Sequence, residues 1–417
     1  MSAPAPLTAL AAPRADRARV LGRMEALSRV GRLANGGLCR LALSDEETEA
    51  RRMLIGWAQA LGCTATLDPA GNLFLRMEGR RPDLAPLLVG SHLDSQPVGG
   101  HFDGVLGVVA GLECLELLVE AGGPERPVEL VSWCNEEGVR FAPTTMGSAV
   151  HAGALPLARA LATRDAEGTS LAAALERSAA RLRAAGLTLT PRGLGGSYSA
   201  FVELHIEQGP VLEREGIAIG VVSDVQGLAQ FRLSVAGTAG HAGAVPMAGR
   251  EDALTRARAV MDRLDACLGA LPGLRHTIGR IEVSPGAINT IPARVDFTLD
   301  ARHPDPEVLA RAIACVTAAE AEVTPLIHQA PVPFSPALRG SIAAACDALG
   351  LSRREMISGA THDAAQAAAL CPAGMIFVPC SGGISHNENE HCPPEAVMNG
   401  TDVLAGTVFA LAGKDPA

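Results

Sequence analysis

Gly90-Ser91-His92-Leu93-Asp94-Ser95-Gln96-Pro97-Val98-Gly99-Gly100-His101-Phe102-Asp103-Gly104 is the stretch around which the chain can be organised. The apolar residues before it, Leu87-Leu88-Val89, predict a strand, and the apolar run over 105–118 predicts a helix. Polar and glycine-rich residues therefore occupy a strand-to-helix turn, where a metal-dependent hydrolase can place its first ligands. In extended backbone His92 and Asp94 share a face, so the Asp94 carboxylate is expected to fix the tautomer of a metal-binding imidazole. Asp103 stands at the start of the helix, where a carboxylate also serves as an N-cap, and both readings of it remain open.

The 417 residues suit one large domain plus a smaller one. Apolar residues make up 48%, charged residues 19%, and the formal net charge is -10 with no basic run. That balance argues against nucleic acid or an anionic membrane as partner and leaves a small-molecule substrate as the expectation. The ten cysteines form no C-x-x-C pair and read as buried or free thiols of a reducing compartment. Residues 1–15, rich in Ala and Pro, read as a flexible tail without the pattern of a secretion signal. The longest apolar run, 105–119, is broken by Glu113 and Glu116 and falls short of the ~20 residues that span a bilayer. A cytoplasmic protein is expected.

Working outward, helices are predicted over 15–33 and 44–61, strands over 64–67, 72–76 and 86–91, and a further strand over 128–134. Strand, helix and strand with about twenty residues between strands imply a right-handed crossover, hence an α/β fold with a largely parallel sheet covered by helices on both faces. Ligands then belong at the carboxyl ends of the strands. Asn135-Glu136-Glu137-Gly138 follows the second strand as His92 follows the first. Of two adjacent carboxylates, one can bind a metal while the other acts as general base on the attacking water, although a solvated acidic turn has the same sequence. His205 in Glu203-Leu204-His205-Ile206-Glu207-Gln208-Gly209 is a third strand-end polar residue. From 228 to 329 the order is strand, helix, strand, strand, helix, strand, which predicts an inserted ferredoxin-like α+β domain. The expected boundaries are 16–224 with 333–417 for the larger domain and 225–332 for the insert. No Gly-x-Ser-x-Gly nucleophile elbow and no phosphate-binding glycine motif occurs.

Six segments in order carry a resemblance: Gly-Ser-His-Leu-Asp-Ser-Gln-Pro (90–97), Phe-Asp-Gly-Val-Leu-Gly-Val (102–108), Asn-Glu-Glu-Gly-Val-Arg-Phe (135–141), Glu-Leu-His-Ile-Glu-Gln-Gly-Pro (203–210), Gly-His-Ala-Gly-Ala-Val-Pro-Met (240–247) and Gly-Gly-Ile-Ser-His-Asn (382–387). The chain resembles the hydantoinase/carbamoylase branch of the M20 metallohydrolases, which have a zinc-exopeptidase-like catalytic domain and a lid and dimerisation domain. The resemblance implies two divalent ions (Zn, Mn, Co or Ni), with Asp103 bridging, His92 and His205 completing one site, and Glu137 and His386 the other. It implies Glu136 as general base and His241 as an oxyanion donor reaching a partner subunit; Asp94, from its spacing to His92, is counted with them as a catalytic residue. Asn289 and Arg302 would hold the substrate carboxylate, and Gln208 and His362 would complete the pocket. The implied reaction is hydrolysis of an N-carbamoyl-L-amino acid by a homodimer. β-Ureidopropionase and allantoate or ureidoglycolate amidohydrolase are alternatives within the branch, and a non-catalytic carboxylate-binding module that kept the fold is an alternative of another class. Thr361, where the branch usually has glycine, and Ala229-Gln230, where bulkier residues are frequent, leave the side-chain preference open.

Overall fold

In the computed structural model, which describes residues 13–187 and 189–413, the chain divides into two units. One runs up to Ser223 and resumes at Phe334; the other is Asp224–Pro333. No helix among the described residues is long and apolar enough to cross a membrane.

The larger unit is built on a mixed sheet. Its order is Ile219–Val225, Ala373–Val378, Ala200–Ile206, Leu87–His92, Val128–Trp133, Leu73–Met77, Thr64–Leu67, then the short Thr190–Pro191. The four strands from Ala373–Val378 to Val128–Trp133 are mutually parallel, and the neighbours on either side pair with them antiparallel. All residues of these four strands are buried, as expected for parallel strands covered on both faces. Helix Val105–Glu120 is apolar nearly all round because it lies in the core, and Pro394–Ala412 is of the same kind. Helix Asp45–Ala60 begins with a capping sequence: the Ser44 side chain accepts the Glu47 N–H, and Asp45, Glu46 and Glu47 place negative charge in the first turn.

The expected tail through residue 15 falls mostly on residues 1–12, outside the described residues. Its last two residues are held: Arg14 pairs with Asp402 at 2.8 Å, and the Ala15 N–H donates to the same carboxylate at 2.8 Å.

The smaller unit has the order Gly227–Ala236, Ala253–Gly269, Arg275–Ser284, Arg294–His303, Pro306–Thr317, Glu322–Gln329. Its antiparallel sheet runs Arg275–Ser284, Arg294–His303, Gly227–Ala236, Glu322–Gln329, the split β-α-β arrangement. Phe231, Leu233, Val235, Val295, Phe297 and Leu299 form the buried core with the two helices. Alternate residues such as Arg232, Thr298 and Asp300 stand on the other face, the period-2 consequence of covering one side only. Asp252 and Asp305 cap the two helices. Cys267 and Cys315 form a disulfide between these helices, Cα to Cα 6.3 Å. This corrects the expectation of free thiols: their separation of 48 residues carries no motif, and only the antiparallel packing of two helices brings them together. The other eight cysteines are free, all buried except the half-buried Cys39.

Candidate metal centre

Leu87–His92 ends at His92, and the backbone then turns. His92 Nδ1 therefore bonds the backbone carbonyl of Asp94 at 2.9 Å, while the Asp94 carboxylate lies 3.8 Å from it. The expectation that the carboxylate fixes the tautomer is thus corrected, because residues 92 and 94 do not share an extended strand. The Asp94 carboxylate instead accepts the backbone N–H groups of Glu136 (3.2 Å) and Glu137 (3.1 Å), tying the two strand-end turns together.

Gly104, not Asp103, is the N-cap of helix Val105–Glu120, and no side chain caps that helix. The capping reading of Asp103 falls, since its carboxylate points to imidazoles instead. His205 Nε2 lies 2.9 Å and His92 Nε2 3.6 Å from Asp103 Oδ1, and His386 Nε2 lies 3.3 Å from Oδ2. Gly104 is required twice over: its φ is +67°, and a Cβ there would stand 2.4 Å from the His92 ring. His386 Nε2 is also 3.5 Å from Glu137 Oε2. Among the described residues three groups of convergent ligand atoms occur; two of them, His92–Asp103–His205 and Asp103–Glu137–His386, have Asp103 in common, and the third is Glu203–His205–His362. Glu136 Oε2 stands 3.7 Å from His92 Nε2, buried beside the first group. The His386 side chain is 48% exposed, so the second group faces solvent.

The residues fit a cation. Both His92 and His205 direct Nδ1 at a backbone carbonyl, which only accepts, so each carries a proton on Nδ1 and turns Nε2 toward Asp103. His205 Nε2, close as it is to Asp103 Oδ1, makes no directed hydrogen bond, and Glu137 Oε1 is buried without a partner. The crowded carboxylates and imidazoles shift one another's proton affinity. Burial pushes Glu136 well above the usual carboxylate range, with Asp363, Glu137 and Asp94 adding to it and His92 opposing. Burial and the Asp103 charge push Glu137 up to about 7. His386 is raised to about 9, chiefly by its hydrogen bond to Asp103. Burial opposes ionisation of Asp103, but the three imidazoles outweigh it and hold the carboxyl well below its ordinary value. A divalent cation would compete with protons for these ligand atoms, since ligands bind deprotonated.

The remaining predicted site residues divide between the two units, Gln208 and His362 standing beside the ligands. Gln208 Nε2 donates to Asp103 Oδ2 at 2.9 Å and to Ser385 Oγ at 3.1 Å, so its amide serves the shared carboxylate. His362 is buried, bonded to Ser358 Oγ at 3.0 Å and packed edge-on against the His205 ring, 4.5 Å between centroids. Burial and the neighbouring His205 hold its pKa well below that of a free imidazole, so it braces His205 as a neutral ring. His241, Asn289 and Arg302 belong to the smaller unit. His241 Nδ1 accepts the Gly243 and Ala244 N–H groups at 3.1 and 3.2 Å, which leaves Nε2 as the protonated, outward-facing nitrogen. The Asn289 carbonyl accepts the Ala242 N–H at 2.9 Å, placing the two segments side by side. Arg302 pairs with Asp300 at 2.8 Å, and Gln230 also donates to Asp300, at 2.7 Å.

Residues 88–410 match the model of peptidase family M20/M25/M40. The chain belongs to this family. Among M20 relatives, an N-carbamoyl-L-amino acid amidohydrolase of Geobacillus stearothermophilus is 39% identical over 94% of this chain and 98% of that protein. A ureidoglycolate hydrolase of Oryza sativa subsp. japonica is 35% identical over 88% and 78%. The crystal structure of a hydantoinase/carbamoylase family amidase from Burkholderia multivorans is 39% identical, covers 96% of this chain and 99% of its own, and superposes with a TM-score of 0.86.

Several residues that brace the ligand-bearing segments were not singled out from the sequence. Glu390 accepts the N–H groups of Phe102 (3.0 Å) and Asp103 (3.1 Å) on one oxygen and Ser385 Oγ (2.9 Å) on the other, holding two ligand-bearing segments. Glu203 accepts Ser91 Oγ at 2.6 Å and the Ala364 N–H at 3.0 Å, and Asp363 accepts Ser148 Oγ at 2.5 Å. Gln96 donates to Glu137 at 2.6 Å. Their only cue was an acidic or amide residue within four positions of a histidine.

Proposed function

We propose that this protein is a dinuclear metal amidohydrolase that removes the carbamoyl group of an N-carbamoyl-L-α-amino acid, giving the amino acid, ammonia and carbon dioxide. The observation that carries the reading is the pair of ligand groups sharing Asp103, with the buried Glu136 beside them, in a chain 39% identical to an N-carbamoyl-L-amino acid amidohydrolase. His92, Asp103 and His205 would hold one ion and Asp103, Glu137 and His386 the other; such an N/O set suits Zn, Mn, Co or Ni. Bound there, two divalent ions would polarise the carbamoyl carbonyl and acidify the attacking water.

The chain's own residues do the rest. Glu136 takes the proton of the water as it adds to the carbamoyl carbon, and returns it to the nitrogen that departs. Asp94 keeps Glu136 and Glu137 in place through their N–H groups. His241, with its proton on Nε2, is assigned to the oxyanion, and Arg302 with Asn289 to the substrate carboxylate. The Asp300 pairing leaves Arg302 oriented, with its fork fixed in one plane. We assign His241 to the site of a second copy and the small unit to dimerisation, because its two outer strands, Arg275–Ser284 and Glu322–Gln329, are largely exposed sheet edges. We place the enzyme in the cytoplasm, with no nucleic-acid or membrane partner.

A second reading is favoured by one observation: a relative of 35% identity is a ureidoglycolate hydrolase. The test is ammonia release by Mn- or Zn-reconstituted protein from N-carbamoyl-L- and D-α-amino acids, N-carbamoyl-β-alanine, allantoate and ureidoglycolate. Fastest turnover of an L-α-substrate supports the proposal. Turnover of allantoate or ureidoglycolate alone moves the protein to that branch, and no turnover of any of them leaves a carboxylate-binding module.

A further inference from the structure

The backbone that carries Glu136 and Glu137 leaves the sheet after Trp133 and has no strand partner. Its polar groups are nonetheless almost all engaged. The carbonyls of Cys134, Asn135 and Glu136 accept the N–H groups of Gly147 (2.9 Å), Met146 (3.2 Å) and Thr145 (2.6 Å). Asn135 adopts a left-handed φ of +55° and anchors its side-chain amide on the Phe141 carbonyl at 2.6 Å. The N–H groups of Glu136 and Glu137 go to Asp94. The Cys134 N–H goes to a side chain far away in sequence, Asn72 Oδ1, at 2.9 Å.

Asn72 is completely buried, and its amide can point only one way. Its Nδ2 donates to Asp68 Oδ2 at 2.8 Å and to the Gly147 carbonyl at 2.9 Å, so Oδ1 must face Cys134. One amide thus stitches both sides of the 134–147 loop. The close approach excludes any side chain at Gly147, where a Cβ would stand 2.1 Å from Asn72 Oδ1. Behind Asn72, the other oxygen of Asp68 accepts the Ala70 and Asn72 N–H groups, both at 2.9 Å. Asp68 Oδ2 also faces His151 Nδ1 at 2.8 Å, and His151 Nε2 meets Tyr198 Oη at 2.8 Å. Arg51 holds the preceding Gly71 carbonyl at 2.6 Å. None of these groups reaches the ligand atoms, and the mechanism above uses none of them.

We propose that Asn72, oriented by Asp68, is a positioning residue for the general base and for one metal ligand. Asp94 grips the Glu136–Glu137 backbone from the side of His92, and Asn72 grips it two residues earlier from the opposite side. A proton transfer and a metal bond both depend on placement to within about 0.5 Å, and displacement of about 1 Å from afar can cost a hundredfold. Without Asn72 the Cys134 N–H is buried and unsatisfied, which the loop relieves by shifting. The assignment to a general base rests on the amidohydrolase reading; the assignment to a metal ligand does not.

The experiment compares wild type with Asn72→Ala at saturating metal. Expected are a kcat at least tenfold lower per metal-loaded chain, a KM changed less than threefold, and a weaker affinity for the second of two Mn ions in a titration followed by calorimetry. A merely structural residue would lower the melting temperature and leave kcat per loaded chain and Mn affinity alone. That result, with both within twofold of wild type, overturns the proposal. Should Asn72→Ala not fold, the near-isosteric Asp68→Asn removes the charge that orients the Asn72 amide. It is expected to lower kcat and Mn affinity in the same direction by threefold or more, and unchanged values overturn the proposal equally. If wild type hydrolyses no ureido compound, the functional reading falls, while the Mn titration still decides whether Asn72 positions Glu137.

Discussion

Replacing Glu136 by Gln removes one proton acceptor and almost nothing else. The side chains are isosteric, the N–H of residue 136 keeps its bond to Asp94, and Glu136 is in none of the groups of convergent ligand atoms. Metal content should therefore stay at the wild-type value. A positioned general base contributes about 10²–10⁴ in rate, or roughly 2.7–5.4 kcal/mol of barrier at 1.36 kcal/mol per tenfold. Since among the described residues no other carboxylate stands within 4 Å of His92 Nε2 except Asp103, which the ligand groups share, we expect a fall in kcat of at least about a hundredfold. KM should move little, because Glu136 is assigned to the reacting water and not to the substrate carboxylate. Stability should not fall: burial already raises the pKa of Glu136, so exchanging it for a neutral amide relieves a desolvated acid. The assay is steady-state ammonia release, with metal per chain and melting temperature measured on the same preparation. A variant that keeps more than a tenth of wild-type kcat at full metal content would refute the assignment of the base.

Three further outcomes follow from the geometry. Arg302→Lys keeps the charge but loses the planar fork, so kcat/KM should fall more than about tenfold if Arg302 anchors a carboxylate; an unchanged value reduces it to a partner of Asp300. Mixing the inactive Glu136→Gln and His241→Ala chains should regain activity by subunit exchange, whereas a fully active monomer by light scattering would remove His241 from a partner's site. Reducing Cys267–Cys315, which closes 48 residues of chain, should cost the small unit at most about 4 kcal/mol by loop-closure entropy, read as a lower melting temperature in dithiothreitol; no shift despite two titrated thiols would show the bridge to be thermodynamically idle.

What the sequence made legible follows from how far each signal reaches along the chain. Strand ends are local: Leu87-Leu88-Val89 running into His92, and Val128 to Trp133 running into Glu136, could be placed by hydrophobic pattern alone. The rule that ligands gather at carboxyl ends of parallel strands then put them in one region. The β-α-β-β-α-β order of the small unit was legible for the same reason, since each element has a cap or a period of its own. Orientation was not. That His92 is held by the carbonyl and not the carboxylate of Asp94 depends on the backbone leaving the strand at His92, before Asp94. Glu390, Glu203 and Asp363 act through bonds to residues 112 to 288 positions away, or across a turn, and no periodicity announces them. Short helices such as Met146–His151 are too brief for a helical period, and with them the partners of Asn72 stayed hidden.

Metal stoichiometry read together with turnover tests most directly whether the Asp103 carboxylate would serve two ions. Chelated protein is titrated with Mn or Zn while bound metal per chain and ammonia release from an N-carbamoyl-L-amino acid are followed. Activity should rise to a plateau at two ions per chain, His386→Ala should retain one ion, and Asp103→Ala should lose high-affinity binding of both. Full turnover in the chelated chain, or a plateau at one ion that Asp103→Ala leaves intact, would contradict that shared role.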